Sequence, residues 1–386
     1  MLRTLCGCFI GIFVYLSGLT QTIRIGISPT KKFTHIKFNN ATASYAVVAD
    51  SFLVGYLNKN NSLEVLLGTK GKVDLLFSEN RKKGFSKVKL IAVSLNHSLD
   101  FSSISPVFKS KGFEGDFEIT ALSDRLLVVN EVDTETYLEG VLESEGGEGQ
   151  PMEYYKVQAI ISRTFARRAF DKHSTEGFNL CNQVHCQAYL HKRMGSSMID
   201  SAVNQTKNQV LFTQDGAFAP TFFSANCGGE TCNPAFVWNE EMEGLVPLRD
   251  TFCTKTKQAT WVKTLDPTVW KTFFVEKYAF PVDDSVSYHY LFHQELNHRK
   301  AFFIHPGYGI PMRDIREKFE LKSSYFSVKL ENNQVVLHGK GYGHGVGLCQ
   351  EGAMAMAKKG FYYTQILGYY FPNFHLEIIG EANRWE

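Results

Sequence analysis

The sequence predicts an α+β fold with a β-rich N-terminal part followed by a mixed α/β part, and three patterns support this. Between residues 22 and 107, short β-like apolar runs alternate with polar turns rich in Asn and Ser. Pro151 opens a long segment with apolar residues at helical spacing, and proline is favoured at the first position of a helix. Glycine occupies every second position from Gly339 to Gly347, which matches the two-residue period of an extended strand.

The composition is that of an ordinary globular protein. The chain has 386 residues, of which 44% are hydrophobic, and its 41 Lys and Arg balance 39 Asp and Glu. This length allows two domains or one large domain. A net charge of +2, with no block of basic residues, gives no reason to expect nucleic acid as a partner.

Residues 1–21 are predicted to be a secretory signal peptide. One positive charge, Arg3, precedes an apolar run that ends in the small residues Ser17 and Gly18. The alternative is a retained membrane anchor, although the run is short for a span. No later segment is apolar enough to cross a membrane, so we expect an exported protein of the periplasm or cell envelope. Its later cysteines would then meet an oxidising space in which disulfides persist.

A β-rich region is predicted at residues 22–110, and further strands are predicted at 117–120 and 126–130. No residue pattern in the β-rich region suggests chemistry, so it is interpreted as a packing or positioning module. Its clearest strand patterns lie at residues 23–27, 46–48, 65–67 and 88–93.

Two helices are predicted next, one short at residues 134–142 and one long from Pro151 to about residue 170. A Gly-rich loop at residues 145–150 separates them. Lys156 and Arg163 are seven positions apart, so they share one face of the long helix.

The glycine run predicts a strand with one face free of side chains, against which a ligand or another part of the chain could lie. His344, on the opposite face, could be a ligand, an acid/base or a packing residue. Val346 stands where a dinucleotide fingerprint would need glycine, so phosphate binding is not indicated. Helices are predicted after the run at residues 350–359 and 364–371.

Four glutamates lie in or beside the Gly-rich loop, and a carboxylate there could act as the acid/base on a glycosidic bond. The alternative is a solvated acidic surface. The sequence lacks the Gly-x-Ser-x-Gly elbow of a serine nucleophile. The four residues are Glu143, Glu145, Glu148 and Glu153.

A short segment combines two cysteines and a histidine, Cys181, His185 and Cys186, and His173 lies shortly before it. Two thiolates and two imidazoles form a good tetrahedral zinc set, so we expect one zinc ion with a structural role and no organic cofactor. The spacing is not that of a standard zinc finger. The alternative is that the cysteines form disulfides, which export favours.

Several motifs in the same order resemble the SpoIID/LytB family of stage II sporulation protein D and amidase-enhancer relatives. The resemblance covers about residues 23–376, which makes 111–376 a SpoIID-like catalytic domain around a substrate cleft, with a tail at 377–386. The motifs are 23–27 IRIGI, 137–141 YLEGV with Glu145, 156–165 KVQAIISRTF, 185–189 HCQAY, 224–231 SANCGGET and 341–353 GYGHGVGLCQEGA.

The resemblance implies a peptidoglycan lytic transglycosylase that cleaves the bond between N-acetylmuramic acid and N-acetylglucosamine and leaves a 1,6-anhydro end. Glu145 takes the place of the family's catalytic glutamate, as a single general acid/base. The zinc ligands of some members match His173, Cys181, His185 and Cys186. The residues predicted to bind substrate are Lys156, Arg163, Gln187, Tyr189, Gly343 and His344.

A non-catalytic alternative also follows from the resemblance, because amidase-enhancer relatives are described as stimulating a partner amidase. The chain would then bind peptidoglycan glycan strands without cleaving them. Lys156 and Arg163 are expected to lie on substrate groups or on structure and not to pair with Glu145, because a neighbouring cation would lower the pKa of that carboxyl.

The sequence departs from the family pattern in two ways. Gly146 and Gly147 stand where Met-Pro usually follows the glutamate, which predicts a more flexible loop and a less fixed glutamate. Cysteine replaces serine at Cys227 and Cys349, which suggests a Cys227–Cys349 disulfide across the cleft. The other candidate pair is Cys232–Cys253.

Overall fold

The computed structural model describes residues 21–77, 80–94, 97–195 and 197–380. The predicted signal peptide, apart from Gln21, and the predicted tail beyond residue 380 lie outside the described residues. Strands concentrate in the N-terminal part and helices in the rest, so the predicted α+β class is confirmed.

The described N-terminal part consists mainly of strands, and several of them alternate between buried and less buried residues. In β3, for example, Tyr45, Val47 and Ala49 are buried while the residues between them are half-buried. The strand patterns at residues 23–27, 46–48, 65–67 and 88–93 are confirmed. The strands are β1 Thr22–Gly26, β2 His35–Asn39, β3 Tyr45–Ala49, β4 Phe52–Leu57, β5 Leu63–Leu67, β6 Val73–Phe77, β7 Asn80–Phe85, β8 Lys87–Ala92, β9 Ser98–Ser105, β10 Phe108–Glu114, β11 Asp116–Ala121 and β12 Leu126–Asp133.

These strands form two sheets that pack against each other. The first sheet has the order β13-β1-β12-β11-β8-β3-β4, where β13 is the short strand Leu180–Cys181, parallel to β1. The second has the order β10-β9-β2-β5-β6-β7. Phe38 of β2 meets Phe117 of β11 at 5.1 Å between ring centroids, and this contact joins the two sheets. The predicted end of the β-rich region at residue 110 lies within β10, and the first sheet includes strands from both sides of that residue.

Two helices follow β12, and the first is longer than predicted. α1 spans Thr134–Gly146 and α2 spans Met152–Arg168. The Asp133 carboxylate caps α1 by accepting the backbone N–H groups of Glu135 and Thr136. The prediction that α1 ends at residue 142 is wrong, because the helix continues until Gly147, where φ is +67°. Glu145 therefore lies in the last turn of a helix and not in a loop.

The remaining elements complete the α/β part and include the helices predicted after the glycine run. They are α3 Ser197–Gln205, β14 Gln209–Phe212, β15 Phe223–Ser224, α4 Ala235–Trp238, β16 Thr260–Leu265, α5 Pro267–Tyr278, α6 Ser285–Phe292, α7 Met312–Lys318, β17 Phe326–Glu331, β18 Gln334–Lys340, β19 Leu348–Cys349, α8 Gln350–Lys358, α9 Tyr363–Tyr370 and β20 His375–Ile378, with short 3₁₀ turns at Ser174–Glu176 and Pro306–Tyr308.

The aromatic-rich segment between residues 260 and 340 has a hydrophobic core of its own. The strands β16, β18 and β17 form a three-stranded sheet, and α5, α6 and α7 belong to the same unit. Trp270 is fully buried at its centre, and its indole N–H donates to the Leu291 carbonyl at 3.0 Å. The main core instead runs from the N-terminal sheets through α1, α2 and α8.

The prediction that residues 339–350 form one extended strand is wrong. Of these residues, Gly339 and Lys340 are the end of β18, and Leu348 and Cys349 form β19. Between them the alternate glycines have positive φ, from +71° to +103°, so the backbone turns at every second residue. These glycines fit against the chain itself, since a Cβ at Gly347 would overlap the Phe222 carbonyl.

No helix among the described residues is both long and apolar enough to span a membrane.

The close packing of the glycine run predicts a strong effect of adding a single methyl group. Gly347→Ala introduces a Cβ at positive φ against the Phe222 carbonyl, so we expect the free energy of unfolding to fall by about 2–4 kcal/mol. Gly360→Ala is the matched control, because Gly360 also has positive φ but has open space around it; it should cost about 1–2 kcal/mol. Urea unfolding of both variants measures the difference, and equal losses would contradict the packing argument.

Candidate active site

A cleft of about 820 Å³ opens beside the C-terminal end of α1. Glu145 lines it together with the loop at residues 184–186, the segment 221–225, Trp238 and residues 342–344. Most of the lining is apolar or aromatic, with a few polar groups among it. This combination is typical of a ligand site.

Two hydrogen bonds hold Glu145 at the edge of this cleft, one to its carboxylate and one to its backbone carbonyl. The Ala188 N–H donates to Glu145 Oε1 at 2.7 Å, and the Gln350 side-chain amide donates to the Glu145 carbonyl at 3.4 Å. Burial raises the pKa of the Glu145 carboxyl above its ordinary value of 4.5, and the Ala188 N–H opposes that rise only in part. A partly buried carboxyl of this kind can hold and deliver a proton.

The turn after Glu145 is well anchored despite its glycines, contrary to the flexibility predicted from Gly146 and Gly147. The Tyr155 hydroxyl donates to the Gly147 carbonyl at 2.7 Å and accepts the Gln150 N–H at 3.2 Å. A Cβ at Gly146 would lie 2.9 Å from the Tyr154 ring, so glycine there lets α1 and α2 approach closely.

The four predicted zinc ligands lie together at one end of the cleft. The ligand atoms of His173, Cys181, His185 and Cys186 are all within 4.8 Å of one another. Cys186 Sγ lies 3.5 Å from His173 Nε2, and Cys181 Sγ lies 3.8 Å from His185 Nδ1. Ligands of a tetrahedral zinc ion with these bond types are about 3.6 Å apart. The type and proximity of these four residues therefore fit a zinc ion.

A carboxylate orients one of these ligands from the outside. Glu176 Oε1 lies 2.5 Å from His173 Nδ1, which leaves Nε2 facing the cysteines. A carboxylate behind a ligating histidine is a usual arrangement at zinc sites. The loop with His185 and Cys186 also carries Ala188, whose N–H donates to the Glu145 carboxylate. One loop therefore positions both Glu145 and part of the Cys/His group.

The structure separates Lys156 and Arg163 from the cleft. Lys156 Nζ pairs with Glu153 Oε1 at 2.7 Å. Arg163 is 1% exposed and makes a bidentate ion pair with Glu135, at 2.6 and 3.0 Å. Neither cation pairs with Glu145. These contacts give Arg163 a structural position and do not support its predicted contact with substrate.

Gln187 and Tyr189 are also buried behind the cleft wall. The Tyr137 hydroxyl donates to Gln187 Oε1 at 3.1 Å, and the Tyr189 hydroxyl donates to Asn130 Oδ1 at 3.3 Å. The Tyr189 ring packs against the Tyr137 ring at 5.1 Å between centroids. Both residues therefore fix the loop that carries Ala188, and their predicted contact with substrate is not supported by this position.

Gly343 and His344 do line the cleft. His344 Nδ1 accepts the Val346 N–H at 3.0 Å, and its ring lies against Trp238. Burial, with the nearby positive charges of Arg316 and Arg299, lowers the pKa of His344 to about 4. The imidazole is therefore neutral at neutral pH, which fits a packing and hydrogen-bonding role better than a proton donor.

Sequence reasoning did not single out four other residues of this site. Trp238 is 38% exposed and presents an aromatic face to the cleft, and Glu240 is a second, exposed carboxylate. The buried Ser224 hydroxyl has no hydrogen-bond partner among the residues that the structure describes. Ser224 and Gln350 lie within the motifs at residues 224–231 and 341–353, whereas Trp238 and Glu240 follow no recognisable pattern.

The six described cysteines carry no disulfide. Cys253 Sγ lies 3.5 Å from Cys227 Sγ, so Cys253 faces Cys227 and not the predicted partner Cys232. Cys349 Sγ accepts the Cys227 N–H at 3.2 Å, so these two residues are adjacent as predicted, although they are not bonded.

Comparison with known proteins agrees with these motifs. Residues 123–212, which include α1, α2 and the Cys/His loop, match the SpoIID family described as Stage II sporulation protein. This match supports the resemblance of the chain to the SpoIID/LytB family.

Named relatives extend the similarity over most of the chain. An uncharacterized protein of Brachyspira hyodysenteriae is 27% identical over 72% of this chain and 76% of its own length. Stage II sporulation protein D of Bacillus subtilis is 27% identical over 63% of this chain and 74% of its own length. The amidase enhancer of Bacillus subtilis is 25% identical over 61% of this chain but only 39% of its own length.

The raised pKa of Glu145 predicts that the wild-type side chain costs stability at neutral pH. When a carboxyl has a higher pKa in the folded state than in the unfolded state, the fold loses stability as the pH rises from the unfolded-state pKa to the folded-state pKa. Glu145→Gln keeps an acceptor for the Ala188 N–H and removes the charge. We expect its melting temperature to equal that of the wild type below pH 4.5 and to exceed it increasingly above.

Thermal unfolding of both proteins across the pH range measures this difference. The exposed Glu240→Gln is the control and should show no such trend. A Glu145→Gln variant that is less stable than the wild type at neutral pH would contradict the placement of Glu145 in a desolvated position.

Proposed function

We propose that the chain is an exported peptidoglycan lytic transglycosylase of the cell envelope. The observation that carries the proposal is the Glu145 carboxyl, which is partly buried, has a raised pKa and faces a cleft of about 820 Å³. Its similarity to Stage II sporulation protein D and to an amidase enhancer supports a role in the cell wall.

The reaction needs one group that acts first as an acid and then as a base. Protonated Glu145 gives its proton to the oxygen between N-acetylmuramic acid and N-acetylglucosamine, and the bond from this oxygen to muramic C1 breaks. The muramic C6 hydroxyl attacks C1 and forms the 1,6-anhydro ring. Its proton passes to the Glu145 carboxylate, so the enzyme returns to its starting state and no water is consumed.

The described surroundings of Glu145 suit this sequence of steps. The Ala188 N–H fixes Oε1 and leaves the other carboxyl oxygen for the sugar. Lys156 and Arg163 pair with other carboxylates, so they do not hold Glu145 in its ionised form. Trp238 and Tyr342 offer exposed rings along the cleft, against which the flat faces of sugar rings can pack.

We also propose that His173, Cys181, His185 and Cys186 bind one zinc ion with a structural role. The ion would complete a site that has two thiol and two imidazole ligands. It would hold the loop from His185 to Ala188 and therefore the N–H that orients Glu145. The catalytic steps belong to Glu145 and the substrate alone.

Two variants test the single-carboxylate mechanism. Glu145→Gln should abolish the release of 1,6-anhydro products from purified glycan strands, because the proton donor is lost. Glu240→Gln should keep most of the activity, since the mechanism assigns no step to the exposed carboxylate in the same cleft. Mass spectrometry of the products measures both.

Unchanged products from Glu145→Gln would refute the assignment. Reducing muramic ends in the wild-type products, together with loss of activity in Glu240→Gln, would instead indicate a hydrolase with two carboxylates.

Removal of the proposed zinc should impair catalysis through the position of Glu145. We expect Cys181→Ser to lose one zinc ion per chain and to cleave glycan at least about tenfold more slowly. His289→Ala, which changes an exposed histidine on α6, is the control and should alter neither quantity. Full activity in Cys181→Ser after loss of the metal would contradict the positioning role.

A second candidate function is a peptidoglycan-binding protein that stimulates a partner amidase, which the similarity to the amidase enhancer favours. Such a protein would bind glycan strands and release no anhydro products. Stimulation of an amidase that survives in Glu145→Gln would support this function over the enzymatic one.

A further inference from the structure

A second group of potential metal ligands lies outside the predicted Cys/His set. The side chains of Cys227, Asp250, Cys253 and Cys349 are all buried, and their ligand atoms lie within 4.8 Å of one another. They come from three segments that are far apart in sequence: the loop after β15, the loop before β16, and β19.

The distances in this group suit a single tetrahedral ion. Cys227 Sγ lies 3.5 Å from Cys253 Sγ and 3.3 Å from Asp250 Oδ2. Two thiolates on one zinc ion are about 3.8 Å apart, and a thiolate and a carboxylate oxygen are about 3.6 Å apart. Cys349 Sγ accepts the Cys227 N–H at 3.2 Å, a bond that a metal-bound thiolate also accepts.

The surroundings of the group orient its ligands. The Tyr370 hydroxyl donates to Asp250 Oδ2 at 2.8 Å, and the Phe252 N–H donates to Asp250 Oδ1 at 2.8 Å. Gly352 on α8 leaves the necessary space, because a Cβ there would overlap the Asp250 carboxylate and the Tyr370 hydroxyl.

A disulfide accounts for this group less well than a metal ion. A disulfide bond is about 2.05 Å long, and pairing two of three cysteines leaves one thiol beside the Asp250 carboxylate. The described partners of Asp250 are the Tyr370 hydroxyl, the Phe252 N–H and the Cys227 thiol, none of which is positively charged. A buried carboxylate without a cation is costly, and a divalent ion removes that cost.

We propose that Cys227, Asp250, Cys253 and Cys349 bind a second zinc ion. Three thiol ligands and tetrahedral spacing favour zinc among the common metals. Four buried protein ligands leave no open position, so the ion is structural.

The second zinc ion would fix a part of the cleft wall that lies outside the Cys/His loop. Cys349 directly precedes Gln350, whose amide donates to the Glu145 carbonyl. Cys227 follows Asn226, which exchanges two backbone hydrogen bonds with Tyr342 in the glycine run. The ion would thus tie the glycine run and the start of α8 to the loop at residues 250–253, whether or not the cleft cleaves glycan.

The metal content of the purified chain tests the proposal. We expect two zinc ions per chain in the wild type and one in Cys227→Ser or Cys349→Ser. Cys232→Ser is the matched control, because Cys232 is also buried beside the glycine run but lies outside the group; it should keep both ions. Zinc content in Cys227→Ser and Cys349→Ser equal to that of the wild type would overturn the proposal.

A second measurement avoids any change to the new site. In Cys181→Ser the Cys/His set is broken, so zinc and cobalt should bind only at the second group. Cobalt-loaded Cys181→Ser should show the absorption bands of a tetrahedral thiolate-bound ion. Absence of these bands, with peptide mapping that finds a disulfide among Cys227, Cys253 and Cys349, would show that the three cysteines form a covalent staple instead.

Discussion

The hydrogen bond from the Ala188 N–H to Glu145 Oε1 joins the end of α1 to the loop that carries His185 and Cys186. A carboxyl at a helix end would otherwise turn into solvent and keep an ordinary pKa. The loop instead covers it and raises its pKa by burial. The packing of α1 on α2 positions Glu145. The buried Tyr189 and the Cys/His group position the loop that carries Ala188.

Local patterns predicted the parts of the structure that depend on local contacts. Alternation of apolar residues identified β1, β3, β5 and β8. The local cluster of Cys and His pointed to four residues within 14 positions of one another, and the fold does bring them together. Glu145 itself came from the family resemblance and not from composition. The helix that holds Glu145 was predicted too short because two glycines usually end a helix, whereas here Tyr154 and Tyr155 support the turn.

Long-range contacts explain the predictions that failed. The glycine run has the period of a strand, but alternating positive φ gives the same spacing, and only the approach of residues 222–228 decides between them. Arg163 looked available for substrate because its partner Glu135 lies 28 positions earlier on another helix. Asp250 likewise comes close to Cys349 only in the folded chain, so no local motif marks the second group of potential metal ligands.

In the proposed reaction Glu145 transfers a proton twice, and the muramic C6 hydroxyl, not water, attacks C1. Digestion of purified glycan strands in water enriched in a heavy oxygen isotope distinguishes these two nucleophiles. We expect the newly formed muramic ends to be 1,6-anhydro rings without the heavy isotope. Reducing muramic ends that carry the heavy isotope would contradict this mechanism, because they require hydrolysis.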